Sequence, residues 1–470
     1  MPSFRAALSS SIFSLLALSA GACDPFTGPP GHGGGGGASS SADSTASSTV
    51  TTDAASSSSS STGCPSPCDG GVNATGECVG GTCKYTCAPD FGDCDDDPST
   101  CEVDLTADDH CGSCDTVCGT HCAVIDAKHQ CNDPVQAAAG ASHTCAVRRD
   151  GSVWCWGFNN WGQVGIGSMV QTQFVPALIT LPFKAKAVRA RFNSTCAIGV
   201  GGEVACWGQD GNDFYTPLLY TQFTNVTQLE VGGLNPANNG DGLSLFIGDA
   251  AGSARSFIVS NVTEPGSALI QAAQVEVAAG GGHYCVRNLA GEVRCAGANS
   301  KNQLGMGFPT TTEAMLHKID SFTAKAIALG GRHSCGITPT DTLECWGDNN
   351  QSQVGIPGVT HNVPKDIPIP GGAPVEQIVL GDEHSAALAG GALYLWGSNV
   401  SHQSSQAADM PVLSPTAYPL ANVTTMALGT SHTCAITSAG KMLCWGANGG
   451  YQLGTGTTAP SSTPVEPLWP

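Results

Sequence analysis

Cysteines ten residues apart recur along this chain. The stretch HTCAVRRDGSVWCWG (143–157) holds Cys145 and Cys155, and the second is followed by Trp-Gly. The same gap separates Cys196 from Cys206, Cys285 from Cys295, Cys335 from Cys345 and Cys434 from Cys444. Paired sulfurs can ligate a metal, cycle as a redox couple or form a structural bridge. Two further copies of the stretch decide between these. They carry Ala386 and Leu395, or Phe246 and Ser256, at the cysteine positions, so both partners are missing together. Independent ligands or lone thiols have no reason to vanish in pairs, and the reading is a disulfide. Apolar and polar residues alternate on either side of Arg149-Asp150-Gly151, the signature of a β-hairpin. Centring the turn on Asp150 puts residue 145 opposite 155 on adjacent strands, within disulfide reach.

Other residues able to do chemistry read as structural. His143, His283, His333, His384 and His432 recur at one position of the repeat. A metal needs its ligands about 2 Å from one centre, whereas each histidine belongs to a different unit. Each is expected to hydrogen-bond within its own unit. Cys111-Gly-Ser-Cys114 has a CxxC spacing, but it sits among ten neighbouring cysteines and reads as structural bridging. Asp93 to Asp97 imitate the start of a calcium loop, with Pro98 where Gly is required and Asp104 where Glu is expected. G-x-S-x-G, H-E-x-x-H and P-loop patterns do not occur. The expectation is no enzyme, no cofactor and no metal.

The elements that hold these residues follow from composition. The chain has 470 residues, 61 Gly, 23 Cys and a net charge of −20, with only 18 Lys and Arg. That balance argues against a nucleic-acid groove, which needs clustered cations. Arg5, the apolar run from Ala6 to Ala20 and Ala20-Gly21-Ala22 before Cys23 read as a signal peptide over 1–22. Ordinary signal-peptidase cleavage fits. A lipobox-like reading fits as well, although Ala20 stands where Leu is expected. Removing Cys23 leaves 22 cysteines, an even number, which favours Cys23 as a lipidated residue. Residues 23–63 are a Gly/Ser-rich linker expected to be disordered, with a reach of roughly 35 Å. Residues 64–132 hold twelve cysteines and few apolar residues, so disulfides must stabilise this small acidic module.

From 133 to 470 the chain repeats. Matching stretches start at 143, 194, 244, 283, 333, 384 and 432, seven units of about 50 residues. Each hairpin is preceded by a short apolar run, as in AKAVRARF (185–192) and AKAIALGG (324–331), and by Pro-containing extended runs such as VPALITLP (175–182). Four strands per unit is the content of a propeller blade. The C-terminal run TPVEPLWP (463–470) is expected to join the first blade and close the ring. The recurring pattern is G-x-x-H-(T/S)-x-A…G-x-(V/L)-x-x-W-G-x-N-x-x-G-Q-(L/V)-G. Gly140, His143, Gly151, Trp156, Gly157, Asn159, Gly162, Gln163, Val164 and Gly165 follow it in the first unit. It resembles the regulator of chromosome condensation repeat family, which implies an all-β, seven-bladed β-propeller behind a small disulfide-rich module and a disordered linker. Ala296 replaces the Trp in one unit, and the units at 194 and 244 lack the Gln-Leu-Gly tail.

The recurring Trp156, Trp207, Trp346, Trp396 and Trp445 read as core, leaving variable loops for recognition. Phe158, Trp161, Phe214, Tyr215 and Tyr451 are the candidate partner-binding residues, because aromatic anchors dominate interfaces. The expectation is an exported protein, either an envelope lipoprotein or secreted. It would bind a protein or glycan at the cell surface, with no nucleic-acid partner and with the membrane reached only through a lipid anchor. The fold's resemblances imply two alternatives: a secreted enzyme inhibitor, as in the bacterial β-lactamase inhibitory propeller, and guanine-nucleotide exchange, as in the family's nuclear member.

Overall fold

The computed structural model describes residues 73–79, 82–88, 90–92, 103–107, 111, 118, 122–125, 127–168, 170–209, 214–223, 225–232, 244–249, 254–258, 267–270, 274–407 and 409–470. All of these belong to the unit Ser61–Pro470. The signal peptide (1–22), the linker (23–63) and Cys23 lie outside the described residues, as do Cys64, Cys68, Cys94, Cys101, Cys114 and the Asp93–Asp97 run.

Short hairpins make up the described part of the cysteine-rich segment. Ala74–Val79 pairs with Thr82–Cys87, Phe91–Gly92 with Val103–Asp104, and Cys122–Ile125 with Lys128–Cys131. Cys111 is bridged to Cys122 and Cys118 to Cys131. Cys78, Cys83 and Cys87 are also disulfide-bonded. The sulfurs of Cys111, Cys118 and Cys131 lie within 4.8 Å of one another. Each is spent in a bridge, so none offers the thiolate that a metal would need. Cys111 and Ile125 are the buried apolar residues in this described part, consistent with covalent rather than hydrophobic stabilisation.

The remainder is seven four-stranded antiparallel sheets, each built from four consecutive strands. No α-helix occurs among the described residues. Blade 1 runs outward from Pro134–Ala139 through His143–Arg148 and Val153–Phe158 to Thr172–Ile179. Blades 2 to 7 repeat this order, with innermost strands Ala185–Arg191, Val226–Gly232, Gln274–Ala279, Ala326–Leu329, Val375–Leu380 and Val423–Leu428.

The core sits between the blades. One apolar cluster combines Ala137, Ala146 and Trp156 of blade 1 with Ile436, Met442 and Leu453 of blade 7, so the ring is closed by packing. Clusters of the same kind join blades 1 and 2, 4 and 5, 5 and 6, and 6 and 7. The five repeated tryptophans are at most 1 % exposed, and truncating such a side chain costs about 3–5 kcal/mol.

Two expectations need correction. The C-terminal run does not supply a strand to blade 1. Ser461–Val465 pairs with Met442–Gly446 and completes blade 7. Blade 1 already has its innermost strand in Pro134–Ala139, and each Pro-containing run ends the blade before it rather than opening the next. The tail still reaches blade 1 through a side chain. Trp469 packs edge-on against Trp154 and Trp156, at 6.3 and 5.6 Å between ring centroids. The guanidinium of Arg148 lies 5.0 Å from the Trp469 ring and 5.4 Å from that of Trp154. The second correction concerns the histidines, which bond to the next blade rather than to their own.

Candidate functional site

The repeated residues are consumed in joining blades. His143 Nε2 lies 2.7 Å from Thr195 Oγ1 in blade 2. The same contact links His283 to Ser334, His333 to Ser385, His384 to Thr433 and His432 to Thr144, at 2.9 to 3.0 Å. Each hydroxyl donates its one hydrogen to the main-chain carbonyl of Gln163, Gln303, Gln353, Gln403 or Gln452 in the blade before it. The hydroxyl oxygen must therefore accept from the imidazole, which fixes an Nε2–H tautomer in each histidine. The indoles of Trp156, Trp346, Trp396 and Trp445 donate to four of those same carbonyls. One junction thus needs His and Gln from one blade, and Ser or Thr and Trp from the next. Burial pushes His143, His283, His384 and His432 down to about 3 and holds His333 well below its usual value.

Glycine at the end of the innermost strand makes room for the imidazole. A Cβ on Gly140, Gly330 or Gly429 would lie 2.1 to 2.3 Å from the ring of His143, His333 or His432. In blade 2 the histidine is Ser194, and the glycine position, three residues earlier, holds Arg191. The freed space lets Arg191 cross the channel mouth to Asp382 of blade 6, 3.3 Å away. Thr430 Oγ1 donates to the other carboxylate oxygen of Asp382 at 2.5 Å.

The central channel has a volume of about 680 Å³. Its wall carries ion pairs, and Lys186 donates to the Val226 carbonyl. Arg189 pairs with Glu230, which raises the pKa of Arg189 further, and Arg287 pairs with Glu276, both at 2.8 Å. Burial raises the pKa of Glu276 despite Arg287 and the Ile327 N–H. The opposite wall, including Ile327, Ile378 and Met426, is apolar.

The loop after each third strand is where blades differ on a constant frame. Asn159 Oδ1 accepts from Val164 N, and Asn299, Asn349, Asn399 and Asn448 repeat that bond. The Gln Oε1 accepts from the main-chain N–H two residues earlier, at Trp161, Lys301, Gln351, Ser401 and Gly450. An identical backbone pose therefore presents a different side chain in each blade. The next residue is left-handed in all five: Gly162, Asn302, Ser352, His402 and Tyr451, with φ between 59° and 77°. Tyr451 is the largest side chain at that position, and a non-glycine residue there carries a backbone cost of about 1 kcal/mol.

Four of the five candidate aromatics come together around the blade 1 loop. Phe158 N donates to Ser142 O at 2.8 Å, which places the two loop sets at one end of the ring. Trp161 follows in the same loop, 39 % exposed. Tyr215 of blade 2 donates from Oη to Asn160 O at 3.1 Å. A Cβ on Gly450 would lie 3.3 Å from Phe158 Cβ, so the blade 7 loop abuts the same spot. Tyr451 stacks obliquely on Phe174, 4.7 Å between centroids. Phe214 opens the strand Phe214–Leu219 opposite Gly208, and its side chain lies outside the described residues. Sequence reasoning missed Phe174, which is 51 % exposed. The signal available was its place between the polar Gln173 and a Val-Pro run in an outermost strand.

Two models of the regulator of chromosome condensation (RCC1) repeat match this chain. One covers residues 135–163, 274–303, 324–353 and 423–452, and the other covers 150–198 and 345–388. The human protein "Regulator of chromosome condensation" is 30 % identical over 123 residues, 25 % of this chain and 29 % of that protein. The rat "Probable E3 ubiquitin-protein ligase HERC4" is 34 % identical over 98 residues, 18 % of this chain and 9 % of its own length. The Arabidopsis thaliana "Ultraviolet-B receptor UVR8" is 33 % identical over 79 residues, 16 % of this chain and 18 % of that protein. The match thus spans less than a third of each relative. Yeast RCC1 (Prp20), in its structure bound to Kap60, aligns with a TM-score of 0.46 at 22 % identity, covering 73 % of this chain and 75 % of that one.

Proposed function

We propose that this chain, whose body carries regulator of chromosome condensation repeats, is an exported scaffold. It recognises a protein partner through the aromatic loop end of blades 7, 1 and 2. The observation that carries this reading is the convergence of Phe158, Trp161, Phe174, Tyr215 and Tyr451 at one loop end. These residues lie outside the His–Gln–Ser/Thr–Trp junctions, and although some of them touch across blades, Trp161 and Phe174 keep large exposed faces. Tyr451 tolerates a left-handed backbone to be there. Aromatic side chains on a rigid frame supply contact area at low entropic cost, which suits an interface anchor. Export is supported by the five described hairpin cystines, since thiols stay reduced in the cytosol. The mode of action is binding, with a protein at the cell surface as partner and Cys23 as the site of a lipid anchor.

The test uses the mature full chain as bait against envelope and culture-medium fractions of its source cells. A Trp161→Ala/Phe174→Ala double variant serves as control. The expected result is a protein retained by the wild type and lost, by at least tenfold, from the variant. Retention of the same proteins by both baits overturns the reading. Binding on a glycan array without a protein partner replaces the protein with a carbohydrate.

A further inference from the structure

Four cysteines that precede the propeller are paired differently from what their strand register offers. Cys122 and Cys131 stand opposite one another in the hairpin of Cys122–Ile125 and Lys128–Cys131. Counted back from the closing pair, Ile125 and Lys128, they form a non-hydrogen-bonded pair, the kind that brings side chains closest. In the five propeller hairpins with two facing cysteines, those cysteines are bonded to each other. Here each reaches outward instead, Cys122 to Cys111 and Cys131 to Cys118.

The two bridges lie side by side. The sulfurs of Cys111, Cys118 and Cys131 are within 4.8 Å of one another, and that of Cys122 is bonded to Cys111. Cys111 is buried, whereas Cys118, Cys122 and Cys131 are half-buried. A small thiol from solvent therefore meets the Cys118–Cys131 bridge first, and a sulfur released there remains next to the second bridge.

We propose that these four cysteines are a disulfide switch with two pairings. One is Cys111–Cys122 with Cys118–Cys131; the other is Cys111–Cys118 with Cys122–Cys131. A low-molecular-weight thiol interconverts them. Its thiolate attacks Cys118 Sγ and the Cys118–Cys131 bond breaks, leaving a mixed disulfide on Cys118 and a thiolate on Cys131. Cys131 attacks Sγ of Cys122 on the opposite strand, and the Cys111–Cys122 bond breaks to leave a thiolate on Cys111. Cys111 then attacks Cys118 Sγ of the mixed disulfide and expels the small thiolate. Two bonds break and two form within the protein, no electrons are gained or lost, and the small thiol is regenerated. The hairpin is held to blade 1, where Arg149 Nε donates to Cys131 O at 2.9 Å and Asp150 N to Asn132 Oδ1 at 3.0 Å. The first pairing cross-links Cys111 and Cys118 to this anchored hairpin. The second closes the hairpin on itself and removes both cross-links.

Disulfide mapping by mass spectrometry tests the proposal on the mature full chain, before and after equilibration with reduced and oxidised glutathione. Free thiols are blocked, exchange is stopped with acid, and peptic digestion separates Cys118 from Cys122. The first pairing alone is expected beforehand. Afterwards Cys122–Cys131 and Cys111–Cys118 are expected in at least roughly a tenth of the molecules, with the five propeller cystines unchanged. Cys111→Ser/Cys118→Ser is expected to join Cys122 to Cys131 and to leave neither as a free thiol. The first pairing alone after equilibration overturns the proposal. So does reduction of both bridges without the second pairing, a different set of partners, or free thiols at Cys122 and Cys131 in the variant. If the variant does not fold, the wild-type map decides.

Discussion

Each junction histidine is neutral because its ring is buried and a second proton would find no acceptor. Nε2 gives its proton to a hydroxyl whose own proton is spent on a Gln carbonyl, and Nδ1 is buried with no acceptor beside it. Charging the ring would place an uncompensated cation between two blades. Four of the groups titrate at about 3 when folded, against 6.5 unfolded, and His333 is shifted the same way. Between those values the unfolded chain binds protons that the folded chain does not. Stability is therefore fully present above pH 6.5 and is lost as pH falls toward 3, by up to about 1.4 kcal/mol per pH unit for each histidine. Urea midpoints measured from pH 7 to pH 5, where ordinary carboxylates stay ionised, are expected to fall steadily. His333→Gln should make the slope shallower. A flat profile over that window would show that these rings take up their protons while folded.

At the scale of the hairpin, five cystines hold strands two and three together, with Cα atoms 4.0 to 4.1 Å apart. Blade 6 keeps the same register, Ala386 opposite Leu395, with both side chains fully buried. The small-large pair fills the volume of a cystine by apolar packing instead of a covalent bond. Hence Cys335→Ala/Cys345→Leu should lose less stability than Cys335→Ala/Cys345→Ala, by about 2 kcal/mol, in denaturant melts under one redox condition. Equal losses would mean that the blade 5 site cannot accept the blade 6 solution. The hairpins were legible in the sequence because both partners lie within fifteen residues and period-two alternation fixes which side chains meet. Blade boundaries were not, since four strands in cyclic order look alike wherever the unit is cut. The His–Ser/Thr bonds were hidden for a related reason: they join residues about 50 positions apart, and nothing local at His143 points to Thr195. The aromatic loop end was half legible. Variable positions stood out against the repeat, but Phe174 lay inside a strand and looked like part of it.

Taken around the whole ring, the junctions are not equal. Those from blade 4 through 5, 6, 7 and 1 to blade 2 have all four residue types. At the next junction, blade 2 supplies Ser194 and no Gln-Leu-Gly tail, and blade 3 supplies Leu245 and Phe257. At the following one, blade 3 supplies Ser244, and blade 4 has Tyr284 and Ala296 in place of the hydroxyl residue and the Trp. Leu316 packs against the small cluster of Val277, Ala279 and Val286 in blade 4, beside the position that lost its Trp. Blade 3 also lacks the cystine, since Phe246 pairs with Ser256. Its sequence thus lacks both the cystine and the His–Gln–Ser/Thr–Trp set, and its described polar ties to its neighbours include Lys186 to Val226 O, Arg189 to Glu230 and Val277 N to Gln228 Oε1. In a closed ring the weakest sector sets where opening begins, because breaking one blade's two junctions costs less than breaking two intact ones. Hydrogen exchange read by mass spectrometry should find the amides of Val226–Gly232 exchanging at least tenfold faster than those of Val375–Leu380, the matching strand of blade 6. Both strands line the same channel, so a difference in solvent access alone does not account for such a gap. Uniform protection around the seven blades would mean that apolar packing between sheets, such as Leu229 and Val231 against blade 2, outweighs the missing bonds.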